Sequence, residues 1–217
     1  MSPRRAQRGL VRGCCLLGVV ALVLLGFAVF LADRALAAPD LGRSLQGPDH
    51  GESETAIAVS LGTQLALALL TQPHAVVTLS EHDLTILAAA HPPSDVTGLT
   101  ARVREGRIVL SGQHPFGPFN VSPVARVVLN LDVTQSPPSL TSRVAQLDIG
   151  QLGLPGFIQD RILGSFGSTI DLNAMFNSSP ALEAVRGFLE CVSVAPDGVR
   201  VGVHRLGIAV DTAVCGS

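Results

Sequence analysis

Histidine, cysteine, serine and carboxylate side chains are the groups that could do chemistry here, and along the sequence they do not converge. The six histidines are His50, His74, His82, His91, His114 and His204, and no two have a metal-ligand spacing such as His-x-x-x-His. Cys14 and Cys15 sit beside an apolar run, far in sequence from Cys191 and Cys215, so the four cysteines do not make a zinc site. Gly164-Ser165-Phe166-Gly167-Ser168 only superficially resembles a Gly-x-Ser-x-Gly elbow and reads as a flexible junction between two helices. Gly150-Gln151-Leu152-Gly153 lacks the lysine of a phosphate loop. Asp132 and Asp148 could be neighbours across two strands, where solvated outer-face carboxylates are the plainer reading. His82-Asp83 opens a helix and reads as exposed rather than catalytic. The expectation is no catalytic residue, no metal and no cofactor. Catalytic groups do assemble from distant positions, so an exported hydrolase stays as a minor alternative.

Three cations are better placed for binding. Arg102, Arg104 and Arg107 flank the turn Glu105-Gly106. At a hairpin end they could meet the phosphate of a lipid headgroup. The bland alternative is a solvated face. Asn120-Val121-Ser122 and Asn177-Ser178-Ser179 match the glycan acceptor pattern. That match is idle in a bacterium, and the exclusive use of Arg for all 15 basic residues suggests a GC-rich bacterial source.

Charge is unevenly spread. Arg4, Arg5, Arg8 and Arg12 precede the uncharged run Cys14–Ala32, and all 17 acids follow it. Those 19 uncharged residues span roughly 29 Å at ~1.5 Å per residue, close to the hydrocarbon thickness of a bilayer. The positive-inside rule then puts the N-terminus in the cytoplasm and the body outside the plasma membrane, as a single-pass protein. A cleaved signal peptide is the alternative, with Ala35-Leu36-Ala37 as its small-x-small site. From residue 33 onward, eleven Arg face seventeen acids, a net of −6 that gives no reason to expect nucleic acid. The expected division is a basic cytoplasmic segment (1–13), a transmembrane helix (14–32), a linker (33–52) and one extracytoplasmic domain (53–217).

Cys14 and Cys15 lie at the cytoplasmic edge of the span, where acylation or plain packing are both open. Cys191 and Cys215 fall in the exported body, where a disulfide would persist. That bond would close a loop of roughly 25 residues and contribute about 3 kcal/mol in the chain-entropy picture. Two free thiols is the alternative.

The elements that position these groups follow from periodicity. Val127, Leu129, Leu131 and Val133 share one face of a strand over Val124–Val133, and Arg126, Asn130, Asp132 and Thr134 take the other. Leu140–Ile149 is a second extended run across Ser136-Pro137-Pro138-Ser139, followed by a helix carrying Phe157, Ile158, Ile162, Leu163 and Phe166. Ser53–Leu70 reads as a buried or lipid-facing helix capped by Ser53 or Thr55, with the alternation of Ile57, Val59 and Leu61 leaving a strand as the alternative. His74–Leu79 is a strand, and Ser80 with Asp83 opens a helix with a capping-box variant. Val96–Arg104 and Arg107–Gly112 form a hairpin, and His114–Phe119 reads as a loop whose two Phe cap the core or touch lipid. Ser168–Phe176 adds apolar contacts, Pro180 starts a helix running to Leu189, and Cys191–Val194 pairs with Val199–Val203 around Pro196-Asp197-Gly198.

In this order the elements resemble a known group. An apolar helix precedes Val77-Thr78-Leu79-Ser80-Glu81-His82-Asp83-Leu84, then come the hairpin at Glu105-Gly106-Arg107, the long strand pair, and Asp148-Ile149-Gly150-Gln151-Leu152-Gly153-Leu154-Pro155. The stretch from about Val76 to Phe176 resembles YpmS-like membrane-anchored bacterial envelope proteins. It is more distantly similar to actinobacterial lipid-binding proteins of the tubular lipid-binding (TULIP, BPI-like) fold. The Cys191–Cys215 segment has no counterpart in that pattern. The resemblance implies an α+β fold: a curled antiparallel sheet packed on helices as a TULIP-like half barrel, with a groove for acyl chains.

Two functional readings result. In the first, a phospholipid or glycolipid lies against Leu129, Leu131, Leu147, Ile149, Ile158, Ile162 and Phe166 in an apolar groove between sheet and helix, driven by burial worth ~25 cal/mol per Å². In the second, the body is a structural or partner-binding ectodomain of an envelope complex, and those residues are ordinary core.

Overall fold

The computed structural model describes residues 22–90, 92, 95–166, 169–171 and 185–216, with only the backbone for 164–166 and 169–171. Residues 22–36 are helical (α1) and end two residues before Ala38 opens an extended strap over residues 38–50. Helix α2, Glu54–Thr71, begins where the Ser53 hydroxyl accepts the Ala56 amide at 3.2 Å, a cap worth ~1 kcal/mol. Strand β1 (His74–Leu79) leads into α3 (Glu81–Ala90). There the capping box is reciprocal: Ser80 Oγ accepts the Asp83 amide, and Asp83 Oδ2 accepts the Ser80 amide.

Then follow β2 (Thr97–Arg104), β3 (Arg107–Phe116), β4 (Phe119–Val121), β5 (Pro123–Asp132), β6 (Ser139–Ile149), β7 (Leu152–Gly153), α4 (Gly156–Phe166), β8 (Thr169–Asp171), β9 (Leu189–Ala195) and β10 (Gly198–His204). The fold is α+β with antiparallel sheets. A seven-stranded sheet runs β2-β3-β5-β6-β7, with β4 on β3 and β8 on β6, and a three-stranded sheet runs β1-β10-β9.

The period-two face of β5 decides how the sheets meet. Val127 pairs with Ile108 on one side and Val144 on the other, and Ala125 pairs with Leu110 and Leu147. This face packs on Val192, Val194, Val199 and Val201 of the small sheet. Farther along, Leu131 joins Ala75, Leu189 and Val203, with Leu65, Ala68 and Leu69 of α2 covering them. Helix α3 closes the open edge of the large sheet: Thr85 Oγ1 accepts the Ala101 amide and donates to the Ala101 carbonyl.

Several expectations change. One curled sheet beside a helix becomes two sheets, because β9 and β10 pair with β1 rather than joining β5 and β6. The His114–Phe119 loop is a hairpin, with Phe116 opposite Phe119 around Gly117-Pro118. Pro115 is tolerated because it lies in this projecting two-stranded arm. Asp132 pairs with Ser139 and Asp148 with Val124, so these acids lie at opposite ends of β5 and β6. Residues 33–36 finish α1, and Leu45 and His50 of the segment that follows are hydrogen-bonded to Glu81 and Asp83 of α3. Helix α2 buries only Ile57 outright and exposes Val59, Leu67 and Leu70. Among the described residues it is the one helix long and apolar enough to cross a membrane. His91, Met175, Phe176 and the helix expected from Pro180 lie outside the described residues, apart from the last turn before Leu189.

Candidate functional site

The densest polar constellation is at the start of α3, where the strap crosses it. Glu81 is wholly buried. Its Oε1 accepts the Val103 amide at 2.7 Å and Arg104 Nη1 at 2.6 Å, and its Oε2 accepts the Leu45 amide at 2.8 Å and the Ser44 hydroxyl at 3.2 Å. Arg104 also donates to the Arg43 carbonyl. Burial pushes the Glu81 carboxyl up. The amides of Val103 and Leu45 and the Arg104 guanidinium outweigh it and hold the group below its ordinary 4.5.

Asp83, two residues on, is also wholly buried. It accepts the His50 ring nitrogen Nδ1 at 2.7 Å, the Ser80 hydroxyl at 2.9 Å, and the amides of Ser80 and His50. Burial raises its pKa, and these hydrogen bonds override burial to leave it below 3.8. Serine, aspartate and histidine thus meet in one chain, but in the order Ser80–Asp83–His50. Nucleophilic catalysis needs the imidazole between hydroxyl and carboxylate to take the proton. Here the hydroxyl donates to the carboxylate, and His50 is buried, so the trio is a clasp joining strap to helix. His82 is exposed as expected; Asp83 beside it is not.

The three arginines of the β2–β3 hairpin separate by partner. Arg104 is committed to Glu81 and the strap. Arg102 donates to the Ala101 carbonyl, and its Nε lies 3.7 Å from Glu81 Oε2 without a hydrogen bond. Arg107 pairs in register with Arg104, and its side chain has no hydrogen bond or ion pair among the described residues. Of the three, Arg107 retains a guanidinium open to an anion.

An open cleft of about 660 Å³ lies on the outer face of the large sheet, under Asp40 and Leu41 of the strap and beside Arg104, Glu105, Arg126 and Asp148. Arg126 and Asp148 form an ion pair across β5 and β6. A smaller cleft of about 450 Å³ is lined by Leu45, Val103, Arg104 and Val194. The outer cleft is of mixed character, with Leu41, Val109 and Val124 lining it beside the charged side chains.

The seven expected lipid contacts do not all lie together. Leu129 and Leu131 pack in the clusters between the sheets, where side chains of the small sheet already cover them. Both are half-buried, and β9 and β10 lie on that half of the face. Leu147 and Ile149, on the same face nearer the end of β6, are half-buried and belong to neither cluster. Ile158 and Ile162 are half-buried on α4, which is tied to β6 by Gln159 Oε1 accepting the Leu147 amide at 3.3 Å. The side chain of Phe166 lies outside the described residues.

At that same end α1 docks. The Gln151 amide donates to the Arg34 carbonyl at 2.9 Å, Gln151 Nε2 donates to the Ala38 carbonyl at 3.1 Å, and Arg34 Nη1 donates to Gln151 Oε1 at 3.2 Å. Gly150 is required there. Its φ is +58°, and a Cβ would stand 2.5–2.8 Å from the carbonyls of Arg34, Ala35 and Ala37.

Sequence reasoning missed the buried acids Glu81 and Glu190, and the strap. Glu190 Oε2 accepts His74 Nδ1 at 2.8 Å and the Asp211 amide at 3.1 Å, which fixes the C-terminal segment to the small sheet. Beside it Cys191 and Cys215 are disulfide-bonded, with Cα atoms 5.9 Å apart. Asp49, Glu52 and His82 each bring one donor atom within 4.8 Å of the others, but all three are exposed, and solvated groups of this kind gather without an ion. No protein-family model, curated protein or solved structure matches the chain.

Proposed function

We propose that the chain is a membrane-anchored extracytoplasmic lipid-binding protein, with its N-terminus cytoplasmic and its body outside the plasma membrane. Acyl chains lie against Leu147, Ile149, Ile158 and Ile162, in the space between the end of β6 and α4. The observation that carries this reading is one of place. The half-buried apolar strip sits at the sheet end to which α1, the continuation of the uncharged run Cys14–Ala32, is hydrogen-bonded through Gln151. A lipid tail leaving the bilayer there meets apolar surface before water, and burial of both surfaces drives transfer. Arg107 stands at the end of β3 away from this strip and from Phe116, so no headgroup contact is assigned to it. The likeness to the YpmS-like and tubular lipid-binding patterns adds to this reading without carrying it.

A second reading rests on a different observation. The space between the sheets is occupied by the chain's own Val and Leu side chains, and the outer cleft is lined by charged and apolar side chains together. Those features favour a non-catalytic, partner-binding ectodomain of an envelope complex. The readings separate by native mass spectrometry of the full chain released from detergent. Lipid binding predicts a retained phospholipid mass that Ile158→Arg removes while the circular dichroism spectrum stays unchanged. A lipid-free protein from lipid-rich membranes supports the scaffold reading. Deletion to residue 50 is unsuitable as a test, because it removes His50, Leu45 and Ser44 from α3.

A further inference from the structure

We propose that the sheet end bearing Phe116, Phe119 and Phe157 is a bilayer-docking surface, and that these rings seat in the leaflet from which α1 emerges. This rests on the reading of Cys14–Ala32 as a membrane span.

The rings are exposed beyond anything the fold requires: Phe116 by 69%, Phe119 by 55% and Phe157 by 75%. The three come from three elements, two of them paired in one arm. Phe116 and Phe119 face each other at the tip of the β3–β4 arm. Phe157 is in the first turn of α4. Topology nonetheless puts them at one end. Pro123, just past β4, pairs with Ile149, and the Gly150 amide donates to the Ser122 carbonyl at 2.7 Å. Ile149 pairs with Leu152, and only Leu154 and Pro155 separate β7 from α4.

The anchor fixes what this end faces. The uncharged run stops at Ala32, and Arg34, two residues on, is already hydrogen-bonded to Gln151. At ~1.5 Å per helical residue, the sheet end stands within about one turn of the hydrocarbon boundary. Aromatic rings are favoured at that depth, where an apolar body enters lipid and the surroundings remain wet. One helix alone would let the body tilt and swing. Three rings, two on the β3–β4 arm and one on α4, together with the Gln151 contacts, would hold it upright with the β6–α4 strip opening toward lipid. The bilayer is the occupant favoured over a protein, because a membrane segment ends against this surface.

The opposite end supplies internal controls. Leu206 follows β10 beside His204, which pairs with His74, and Leu70 ends α2 next to β1. Both are exposed, by 82% and 76%. The chain has neither Trp nor Tyr, so one introduced Trp is the only indole reporter. Single variants Phe116→Trp, Phe119→Trp, Phe157→Trp, Leu70→Trp, Leu206→Trp and Val23→Trp in the full chain would be reconstituted into phosphatidylcholine vesicles with brominated acyl chains. All six positions are exposed, so folding is undisturbed. The expected result is blue-shifted, bromine-quenched emission at 23, 116, 119 and 157, with 70 and 206 unquenched. Quenching at 23 alone overturns the docking surface and leaves the anchor standing. Quenching at 70 without 116 assigns docking to the α2 face and also overturns it. Equal quenching at 206 overturns the upright orientation. A blue shift at 116 with no quenching means that a protein surface covers the end, which overturns it too. No quenching anywhere, 23 included, fails the anchor reading first.

Discussion

Removing the Glu81 carboxylate tests how the strap is held. Two amides, one hydroxyl and the Arg104 guanidinium converge on this buried group. In Glu81→Ala the Val103 and Leu45 amides lose their acceptor, and Arg104, less than a third exposed, loses its counter-charge. Breaking one partner of a buried ion pair costs ~3–5 kcal/mol. Each stranded amide alone would cost about 1–3 kcal/mol, and these losses overlap rather than add. A total near ~4 kcal/mol is a large part of a typical domain stability of ~5–15 kcal/mol. With a urea slope of ~2 kcal/mol per M, the unfolding midpoint falls by about 2 M. Circular dichroism of the full chain in micelles would read it, since no Trp or Tyr is present. Adding Arg104→Ala should recover part of the loss, because the unpaired cation is removed; a coupling of ~1–2 kcal/mol is expected from the cycle. Hydrogen exchange should speed at Leu45 in both variants. A midpoint unchanged by Glu81→Ala, with the Leu45 amide still protected, would refute the placement of the strap.

Other perturbations follow from the same geometry. Cys191→Ser with Cys215→Ser opens a bond spanning a separation of 24 residues, and a loss of about 3 kcal/mol is expected in thermal or urea melts. Glu81 and Asp83 both have folded pKa values depressed below their ordinary 4.5 and 3.8, so their stabilisation is complete above those values and lost as pH falls through the folded ones. Stability measured by urea titration should therefore drop on acidification below that window, and Glu81→Gln with Asp83→Asn should shrink the drop. Gly150→Ala places a methyl against the carbonyls of Arg34, Ala35 and Ala37. Beyond the ~1–2 kcal/mol of a left-handed alanine, it should release the Gln151 amide to exchange.

What the sequence disclosed is what local spacing encodes. The faces of β5, the β2–β3 and β9–β10 hairpins and the Ser80–Asp83 cap depend on neighbours two to four positions away. The disulfide was legible because only two cysteines lie in the body. Burial of Glu81 was not, because its partners come from the strap 36 residues before it and β2 some 22 after. Nor was the role of His50, paired 33 positions away. Leu129 and Leu147 look alike on one strand face, and only the placement of β9 and β10, more than 40 residues on, packs the first against the small sheet and not the second. The β3–β4 arm was hidden by Pro115 and Pro118, which read as loop until the pairing of Phe116 with Phe119 is known.

The most direct test of lipid binding is to map where a tail lies. A phospholipid with a photoactivatable diazirine near the end of one acyl chain, reconstituted with the full protein and irradiated, would leave adducts located by peptide mass spectrometry. The account predicts adducts on 147–149 and 158–162 in addition to the anchor. Adducts confined to the anchor and the phenylalanine tips, with none on β6 or α4, would contradict it.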